Sequence, residues 1–342
     1  MALRWRVSAI AAMPVTSSDA AASAIRMYHR SMRTTAYITH PDCLRHEMGV
    51  GHPECPARLN AVHEQMRASG MLDELRCLEA PFAEPDDLKR VHRPAYVDLI
   101  FENAPTEGYV QLDPDTAMNP HSLSAARRAA GAGLLAVDEV MAGRSANAFC
   151  AVRPCGHHAT QARSMGFCIF NNVGVAAAYA LEKKGLERVA IIDFDVHHGN
   201  GTEDMFSAPQ WRDRVLMAGF FQHPFYPYSG TTNTAPNMIN VPLSEGSGGA
   251  AAKQAIEERW LPALESFKPQ MILISAGFDA HREDLLGGMT LVESDYEWIT
   301  REMMALAERH SQKRVVSMLE GGYNLSALGR SAVAHVKTLS GS

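Results

Sequence analysis

The residues with the clearest chemical potential lie in one short run, Asp193-Phe194-Asp195-Val196-His197-His198. An apolar stretch, Val189–Ile192, leads directly into it. Strand side chains alternate between faces, so a strand that continues through this run would direct Asp193, Asp195 and His197 to one side. Carboxylates at a buried strand end are costly to desolvate unless they are paired or bind a cation. The run therefore indicates a divalent metal site, with a hydrogen-bonded polar strand end as the alternative.

Three further polar clusters follow predicted strands in the same way. They are Arg153-Pro154-Cys155-Gly156-His157-His158, Asp279 and Glu320-Gly321-Gly322-Tyr323. In an open α/β sheet the carboxyl ends of parallel strands meet at one edge, and active sites lie outside that edge. One strand that ends in an acid or a histidine is commonplace, so each cluster alone indicates little. Four such clusters predict a shared site.

A metal-dependent hydrolysis would give these groups distinct roles. Asp195, His197 and Asp279 offer two carboxylates and one imidazole. Three protein ligands leave one coordination position for water or substrate, which is typical of a catalytic metal site. His157 and His158 can exchange protons near neutral pH, although an adjacent histidine pair can also be an ordinary loop cap.

Other polar residues could support this chemistry. Asp193 and Asn200 are suited to orient the two imidazoles from behind. The Tyr323 hydroxyl could donate to a developing oxyanion. A Gly-Gly-Tyr sequence alone is more often a turn with a packed aromatic ring, so the value of Tyr323 comes from the other strand ends.

Beyond residue 34 the chain alternates strand-like and helix-like segments, which predicts an α/β protein with a mostly parallel sheet flanked by helices. The predicted strands are Ala148–Val152, Val189–Val196, Val215–Phe220, Met271–Phe278 and Val315–Leu319. The predicted helices are Leu123–Met141, Val173–Lys184, Gly249–Phe267 and Leu291–His310. Continuously apolar strands indicate burial on both faces. Because the motifs converge on one site and no repeat or linker divides the chain, we expect a single domain over residues 34–342.

The composition is that of an ordinary globular protein, with 46% hydrophobic and 20% charged residues among 342. A net charge of −6 provides no basic field for nucleic acid or an anionic membrane. No apolar run approaches the roughly 20 residues of a membrane span. The six cysteines form no CxxC pair, which fits a reducing compartment better than secretion. We expect a cytoplasmic protein that binds neither nucleic acid nor membrane directly, and we leave open whether it forms a homo-oligomer.

The first 33 residues differ from the rest of the chain. They contain five arginines, several serines and alanines, and a single acid, Asp19. This composition is similar to that of a mitochondrial import presequence. An upstream start codon, with Met27 or Met32 as the true beginning, explains it equally well. In either case we expect residues 1–33 to form a poorly ordered extension.

Five motifs, in this order, resemble those of the zinc-dependent histone deacetylase superfamily. They are Gly156-His157-His158-Ala159, Gly166-Phe167-Cys168-Ile169-Phe170-Asn171-Asn172, Asp193-Phe194-Asp195-Val196-His197-His198-Gly199-Asn200-Gly201-Thr202, Ala276-Gly277-Phe278-Asp279-Ala280 and Gly321-Gly322-Tyr323. The sequence His52-Pro53-Glu54-x-Pro56-x-Arg58-Leu59 resembles the class II branch and its bacterial amidohydrolase relatives. Asn200 agrees with this, since class I members carry Asp there.

The resemblance implies a three-layer arginase/deacetylase-like fold and one zinc ion on Asp195, His197 and Asp279. It also implies that Tyr323 polarises the substrate carbonyl, since family members with His there deacetylate poorly. Arg58 would line an exit channel.

The resemblance further implies proton transfer by His157 and His158, and a potassium ion beside the zinc strand that uses Asp193 and main-chain carbonyls. Met217-Ala218-Gly219-Phe220-Phe221 stands where the family has a Ser-Leu-His pattern. A potassium-ligating hydroxyl is absent at Gly219, which puts that second ion in doubt.

The reaction implied is deacetylation of Nε-acetyl-lysine, or a related acyl-lysine, in an acetylated protein, peptide or small amine. The channel for the alkyl stem would be lined by Gly166, Phe167, Phe225, Tyr226 and Leu286. Taken singly, each of its aromatic residues is more typical of an ordinary core.

Three alternatives stay open. The first is an acetylpolyamine deacetylase: polyamine-selective relatives tend to carry an acid at the rim, where this chain has Leu286, although Glu283 and Asp284 lie nearby. The second is a protein that binds acyl-lysine without turning it over. The third is an arginase-like hydrolase, which needs two metals and a second acidic motif that the sequence lacks.

Overall fold

The computed structural model describes residues 34–232 and 235–341. The predictions about residues 1–33 therefore lie outside the described residues. The strands are β1 (Ala36–Thr39), β2 (Arg76–Glu79), β3 (Val110–Asp113), β4 (Thr116–Met118), β5 (Ala148–Cys150), β6 (Val189–Asp193), β7 (Val215–Gln222), β8 (Met238–Leu243), β9 (Ile272–Ala276) and β10 (Val315–Leu319). The α-helices are α1 (Pro56–Ala68), α2 (Pro85–Leu88), α3 (Pro94–Glu102), α4 (Ser122–Met141), α5 (Asn172–Glu182), α6 (Asn200–Phe206), α7 (Gly249–Ala255), α8 (Leu261–Phe267), α9 (Glu293–His310) and α10 (Leu325–Ser340).

Eight of these strands form one sheet in the order β2-β1-β5-β10-β9-β6-β7-β8, and every neighbouring pair is parallel. Every residue of β5, β6, β7, β9 and β10 is buried. Strands that are covered on both faces can be apolar throughout, which explains why these five strands could be predicted from the sequence. The expected α/β fold with a central parallel sheet flanked by helices is confirmed.

The two faces of the sheet are covered by different helices. Ser317 in β10 hydrogen-bonds to His335 of α10. The next residue, Met318, lies against Gly133 of α4. Consecutive strand residues point to opposite faces, so α10 and α4 form the two outer layers of a three-layer domain. Helices α1 and α9 pack beside α10, and α5 packs beside α4.

The register of the central strands aligns their carboxyl ends. Asp193 at the end of β6 pairs with Gly219 in β7 and Ser275 in β9. Ala276 at the end of β9 pairs with Leu319 at the end of β10. The loops that follow β5, β6, β9 and β10 therefore begin at one edge of the sheet, as the sequence predicts.

Several predicted boundaries were wrong. The strand over Val189–Val196 ends at Asp193, and the one over Met271–Phe278 is limited to Ile272–Ala276. The helix over Gly249–Phe267 is interrupted by a π-helical turn at Ile256–Trp260. The sequence did not predict five strands, because they are short or have a mixed polar pattern: β1, β2, β8 and the antiparallel hairpin β3–β4.

The described helices include none that is both long and apolar enough to cross a lipid bilayer.

Candidate active site

The three residues predicted as metal ligands come together outside the carboxyl edge of the sheet. Ligand atoms of Asp195, His197 and Asp279 all lie within 4.8 Å of one another. His197 Nδ1 is 2.9 Å from Asp195 Oδ1 and 3.2 Å from Asp279 Oδ2. Both carboxylates are completely buried, whereas the imidazole reaches a cavity. We refer to these three residues as the metal triad, after their predicted role.

Asp193, Asp195 and His197 do not project from one face of a strand, contrary to the prediction. Strand β6 ends at Asp193, so Asp195 and His197 belong to a loop and do not share a strand face. The loop is turned by its own carboxylates: the Asp195 amide donates to Asp193 Oδ1 (3.1 Å) and the His197 amide to Asp195 Oδ1 (2.9 Å). Asp193 points instead toward His157, while the other two residues face Asp279.

The donor set and its surroundings fit a divalent cation. Asp279 Oδ2 is buried and accepts no well-aligned hydrogen bond among the described residues, although His197 Nδ1 approaches it at 3.2 Å. Gly321 faces the two carboxylates, and a Cβ there would lie 2.0 Å from this same oxygen. Burial, and next the charge of Asp195, raise the pKa of Asp279 to about 7. An unsatisfied buried carboxylate oxygen beside an imidazole and a second carboxylate is an arrangement that a bound cation stabilises.

The two adjacent histidines lie beside the triad in different environments. His157 Nδ1 is 3.0 Å from Asp193 Oδ2, and His158 Nδ1 is 2.7 Å from Asn200 Oδ1. Burial alone would lower the pKa of His157, but Asp195 and Asp193 raise it well above its ordinary value. Burial, reinforced by the neighbouring imidazoles, lowers the pKa of His158 well below its ordinary value. The pKa values of the two imidazoles are thus shifted apart, as in acid–base sites.

Glu320 supports this histidine pair, a contact that the sequence analysis missed. Its Oε2 accepts hydrogen bonds from the backbone amides of Gly156 (2.6 Å) and His157 (3.1 Å). Ser275 donates its hydroxyl to Oε1 (3.1 Å). Glu320 was recognised only as part of a polar strand end, and no sequence signal links it to amides more than 160 residues away.

Tyr323 enters the site from the loop after β10. Burial, and next the field of Cys155, raise the pKa of its phenol well above the ordinary value, so the hydroxyl is protonated at neutral pH. The Arg58 guanidinium carbon lies 4.7 Å from the centre of the Tyr323 ring. Arg58 also donates to the carbonyls of Gly322 (2.6 Å) and Glu320 (2.5 Å). Arg58 is completely buried, so these contacts make it a support for the loop of residues 320–324, here called the tyrosine loop. The role of Arg58 in an exit channel stays a prediction.

A cavity of about 260 Å³ leads to these groups. Its lining residues are Asp115, His158, Gly166, Phe167, His197, Phe225, Tyr226, Leu285, Leu286 and Tyr323. Every residue predicted for the substrate channel is among them. Phe225 stacks on the His197 ring at 5.4 Å, and Phe167 meets Tyr323 edge-on at 5.8 Å.

The channel wall at Gly166 and Phe167 has an unusual backbone. A Cβ at Gly166 would lie 2.3 Å from the His158 ring, so only glycine allows this approach. Phe167 adopts φ 68°, a left-handed conformation that bulky residues avoid. The amides of these two residues donate to Asp115 Oδ1 (3.0 Å) and Thr116 Oγ1 (2.9 Å). The β3–β4 hairpin thus holds the wall in place.

Asp115 and Leu285 are cavity residues that the sequence analysis missed. Asp115 lies in the turn of the unpredicted hairpin, where neither periodicity nor spacing distinguishes it. Leu285 is almost completely exposed, and an exposed leucine next to the predicted rim residue Leu286 carries no signal by itself.

The described residues contain one further group that could hold a metal, Cys155, Cys168 and Glu320. The carboxylate of Glu320 is already occupied by backbone amides and a hydroxyl. Cys168 Sγ contacts the Gly166 carbonyl at 3.3 Å and Cys155 Sγ at 3.4 Å. This group supports the channel wall and differs from the carboxylate-rich pair of sites that an arginase-like hydrolase needs. Gly219 pairs with Asp193 and offers no hydroxyl, so a potassium ion stays a prediction.

Residues 52–339 match the histone deacetylase domain. The chain belongs to the histone deacetylase family. It is 35% identical to the histone deacetylase-like amidohydrolase of Pseudomonas aeruginosa, covering 90% of this chain and 87% of that protein. It is 36% identical to the probable deacetylase of Archaeoglobus fulgidus, covering 85% and 82%. An uncharacterized protein of Synechocystis is 39% identical over 89% of this chain and 99% of its own length.

Among solved structures, the crystal structure of the HD domain of HDA15 superimposes with a TM-score of 0.84 at 34% identity, covering 91% of this chain and 89% of that one. This likeness agrees with the three-layer fold and with the class II-like resemblance inferred from the motifs. Membership of this family also confirms that the protein is a hydrolytic enzyme.

Proposed function

We propose that this protein is a zinc-dependent deacetylase that hydrolyses the amide of Nε-acetyl-lysine, or of a related acyl-lysine, in proteins or peptides. One observation carries the proposal: an aromatic-lined cavity of about 260 Å³ connects solvent to the metal triad, the histidine pair and the Tyr323 phenol. A long, thin alkyl stem with a reactive carbonyl at its end suits such a cavity.

Asp195, His197 and Asp279 would hold the zinc ion. When bound, zinc supplies Lewis-acid polarisation of the amide carbonyl and acidifies water. The triad leaves room for this chemistry because its three side chains do not complete a four-coordinate site.

His158 is the general base in this proposal. Its Nδ1 is engaged by Asn200 and its lowered pKa keeps the ring neutral, which leaves Nε2 free to accept a proton from the attacking water. The same nitrogen then returns the proton to the leaving amine. His157, whose pKa is raised by Asp195 and by the hydrogen-bonded Asp193, would stabilise the negative charge that develops beside it.

Tyr323 donates its hydroxyl to the oxyanion of the tetrahedral intermediate. The raised pKa of the phenol keeps this donor protonated at neutral pH. A donor that is already oriented before the reaction stabilises the transition state more than the planar amide.

Acyl-lysine is favoured as the substrate by the apolar wall formed by Phe167, Phe225 and Leu286. Acetylpolyamines are the second candidate, and Asp115 supports them: this cavity-lining carboxylate could attract a distal ammonium. However, Asp115 already accepts hydrogen bonds from Gly166 and Thr116, which reduces its availability for a ligand.

The test is a substrate panel with the zinc-loaded protein: acetyl-lysine peptides, longer acyl-lysine peptides and acetylpolyamines, each measured as kcat/KM. Tyr323→Phe serves as the control for background hydrolysis. We expect turnover, with the acyl-lysine peptides preferred. Binding of acyl-lysine peptides without turnover would identify a non-catalytic binding protein, and a preference for acetylpolyamines would overturn the substrate assignment.

A further inference from the structure

A buried carboxylate, Asp284, connects the rim of the cavity to the loop that carries the phenol. Its Oδ2 accepts hydrogen bonds from the backbone amides of Tyr323 (2.6 Å) and Asn324 (3.0 Å). Its Oδ1 accepts from the amide of Leu286 (2.9 Å). Asp284 is 6% exposed and does not line the cavity. One side chain therefore joins two segments almost 40 residues apart, each of which contributes a cavity residue.

The tyrosine loop needs such an anchor because two glycines precede Tyr323. Gly321 is required by the carboxylates it faces, and Gly322 adopts φ 124°, a conformation that other residues rarely reach. Glycines give a backbone its greatest conformational freedom, so the position of the tyrosine depends on hydrogen bonds to other parts of the chain, such as that from the Gly321 amide to Asp195 Oδ2 (2.9 Å).

Arg58 and Asp284 hold the loop from two sides. Arg58 binds the carbonyl of Gly322, and Asp284 binds the amide of the next residue, Tyr323. Hydrogen bonds from amides to an ionised carboxylate are shorter and stronger than those between neutral groups. A second bond parallels this link, because the Asn324 side-chain amide donates to the Glu283 carbonyl at 3.0 Å.

We propose that Asp284 is a positioning residue for deacetylation, which fixes the Tyr323 phenol and the Leu286 rim in one relative arrangement. It touches neither substrate nor reacting atoms and acts through the backbone of Tyr323. This inference rests on the proposed function, in which the Tyr323 hydroxyl stabilises the oxyanion.

Asp284→Asn is the variant of choice because it keeps the shape of the side chain. An asparagine has one acceptor oxygen, so its NH₂ group would face either the Leu286 amide or the amides of Tyr323 and Asn324, all of which are donors. Glu283→Gln is the matched control: it removes the adjacent carboxylate, which is exposed and pairs with Arg330 at 2.9 Å. Small displacements of a catalytic group can cost up to about 100-fold in rate, so we expect a 10- to 100-fold lower kcat for Asp284→Asn. KM should change much less than kcat, and Glu283→Gln should keep wild-type kcat.

A double-mutant cycle with Tyr323→Phe separates positioning from general support. A trifluoroacetyl-lysine peptide is the substrate, because its more electrophilic carbonyl keeps the slow variants measurable. If Asp284 acts through the phenol, adding Asp284→Asn to Tyr323→Phe should lower kcat by no more than roughly threefold, since coupled residues are not additive. A full additional loss in the double variant would overturn the proposal.

Hydrogen–deuterium exchange on the metal-free proteins gives a readout independent of activity. Asp284→Asn should accelerate exchange in both segments, around residues 284–288 and 321–324, while Glu283→Gln should not. Faster exchange in only one segment, or equal effects of both variants, would contradict the link. Wild-type turnover in Tyr323→Phe alone would instead refute the role of the phenol in the proposed function, whatever the exchange data show.

Discussion

Two clusters of buried charge lie close together in this protein and behave in opposite ways. One is the metal triad. The other, the Glu54 cluster, consists of Glu54, Arg58 and Arg153, all with no exposed surface. Both oxygens of Glu54 are bound: Arg153 donates to each of them at 2.5 Å, and Arg58 donates to Oε1 at 3.0 Å. In the metal triad, by contrast, Asp279 Oδ2 accepts no well-aligned hydrogen bond among the described residues and has only the approach of His197 Nδ1 at 3.2 Å.

The pKa values of the two carboxyl groups shift in opposite directions although both are buried. Burial alone would raise the pKa of Glu54, but its cationic neighbours, Arg153 foremost, lower it to about 2. Burial and Asp195 raise the pKa of Asp279 to about 7. Buried charge by itself therefore does not mark an active site. Asp279 differs because its oxygen without a hydrogen bond lies beside a second carboxylate and an imidazole that reaches the cavity, a combination suited to a cation.

The largest expected effect is that of removing a metal ligand. Asp279→Ala should abolish stoichiometric zinc binding and lower kcat/KM by more than about 100-fold, since even residues that merely support a metal ligand contribute 10- to 100-fold. Metal analysis and the acetyl-lysine assay measure this. Asp279→Asn in the metal-free protein should not lower the melting temperature, because burial and the charge of Asp195 disfavour an ionised carboxylate at this position. Full zinc occupancy in Asp279→Ala would refute the ligand assignment.

Breaking the Glu54 cluster should instead lower the free energy of unfolding. Glu54→Gln leaves two buried guanidinium groups without their anion, and such losses cost about 3–5 kcal/mol of the free energy of unfolding. Urea denaturation of the metal-free protein measures this. Glu308→Gln, which breaks an exposed pair with Lys313, should leave stability unchanged. A Glu54 variant as stable as the wild type would show that the cluster does not stabilise the fold.

The same cluster predicts a pH dependence. The folded-state pKa of Glu54 lies below its ordinary value of 4.5, so its contribution is complete above that pH. It is lost as the pH falls from about 4.5 toward 2. The difference in unfolding free energy between wild type and Glu54→Gln should therefore shrink in acid. A difference that stays constant from pH 7 to pH 3 would contradict this.

Tyr323→Phe tests the group that lies between the two clusters, in contact with Arg58 and the cavity. It keeps the ring and deletes the hydroxyl, and loss of one oxyanion donor costs about 100- to 1,000-fold in kcat. Zinc content and melting temperature should match those of the wild type. A variant that lost zinc or stability as well would assign Tyr323 a structural role.

The smallest expected effect concerns substrate choice at the rim. Leu286→Glu adds a carboxylate that could attract the distal ammonium of an acetylpolyamine. Pairs at an exposed rim contribute about 0.2–1 kcal/mol, so relative kcat/KM for acetylpolyamines should rise by no more than a few-fold. Leu286→Gln is the control of equal shape without charge. An equal rise in both variants would attribute the effect to size.

Local sequence predicted much of the active site because its main residues follow the ends of apolar strands. The buried strands β5, β6, β7, β9 and β10 were predictable from their continuous apolar runs, and each candidate metal ligand or catalytic side chain follows the end of such a strand by no more than eight residues. Among the residues that line the cavity, the sequence analysis did not name Asp115 and Leu285. It erred where a strand became a loop, as after Asp193, because residue types do not reveal where backbone pairing stops.

By itself, the sequence determined which residue types stand at the edge of the sheet and hence the class of chemistry. Only the tertiary structure decided how those residues are held. Glu320 binds amides near His157, Asp115 binds the channel wall, and Asp284 binds the amides of the tyrosine loop. These contacts join side chains to distant backbone groups. Every residue except proline carries the same N–H donor, so the choice of partner leaves no mark on the sequence and is set by the packing of the whole domain.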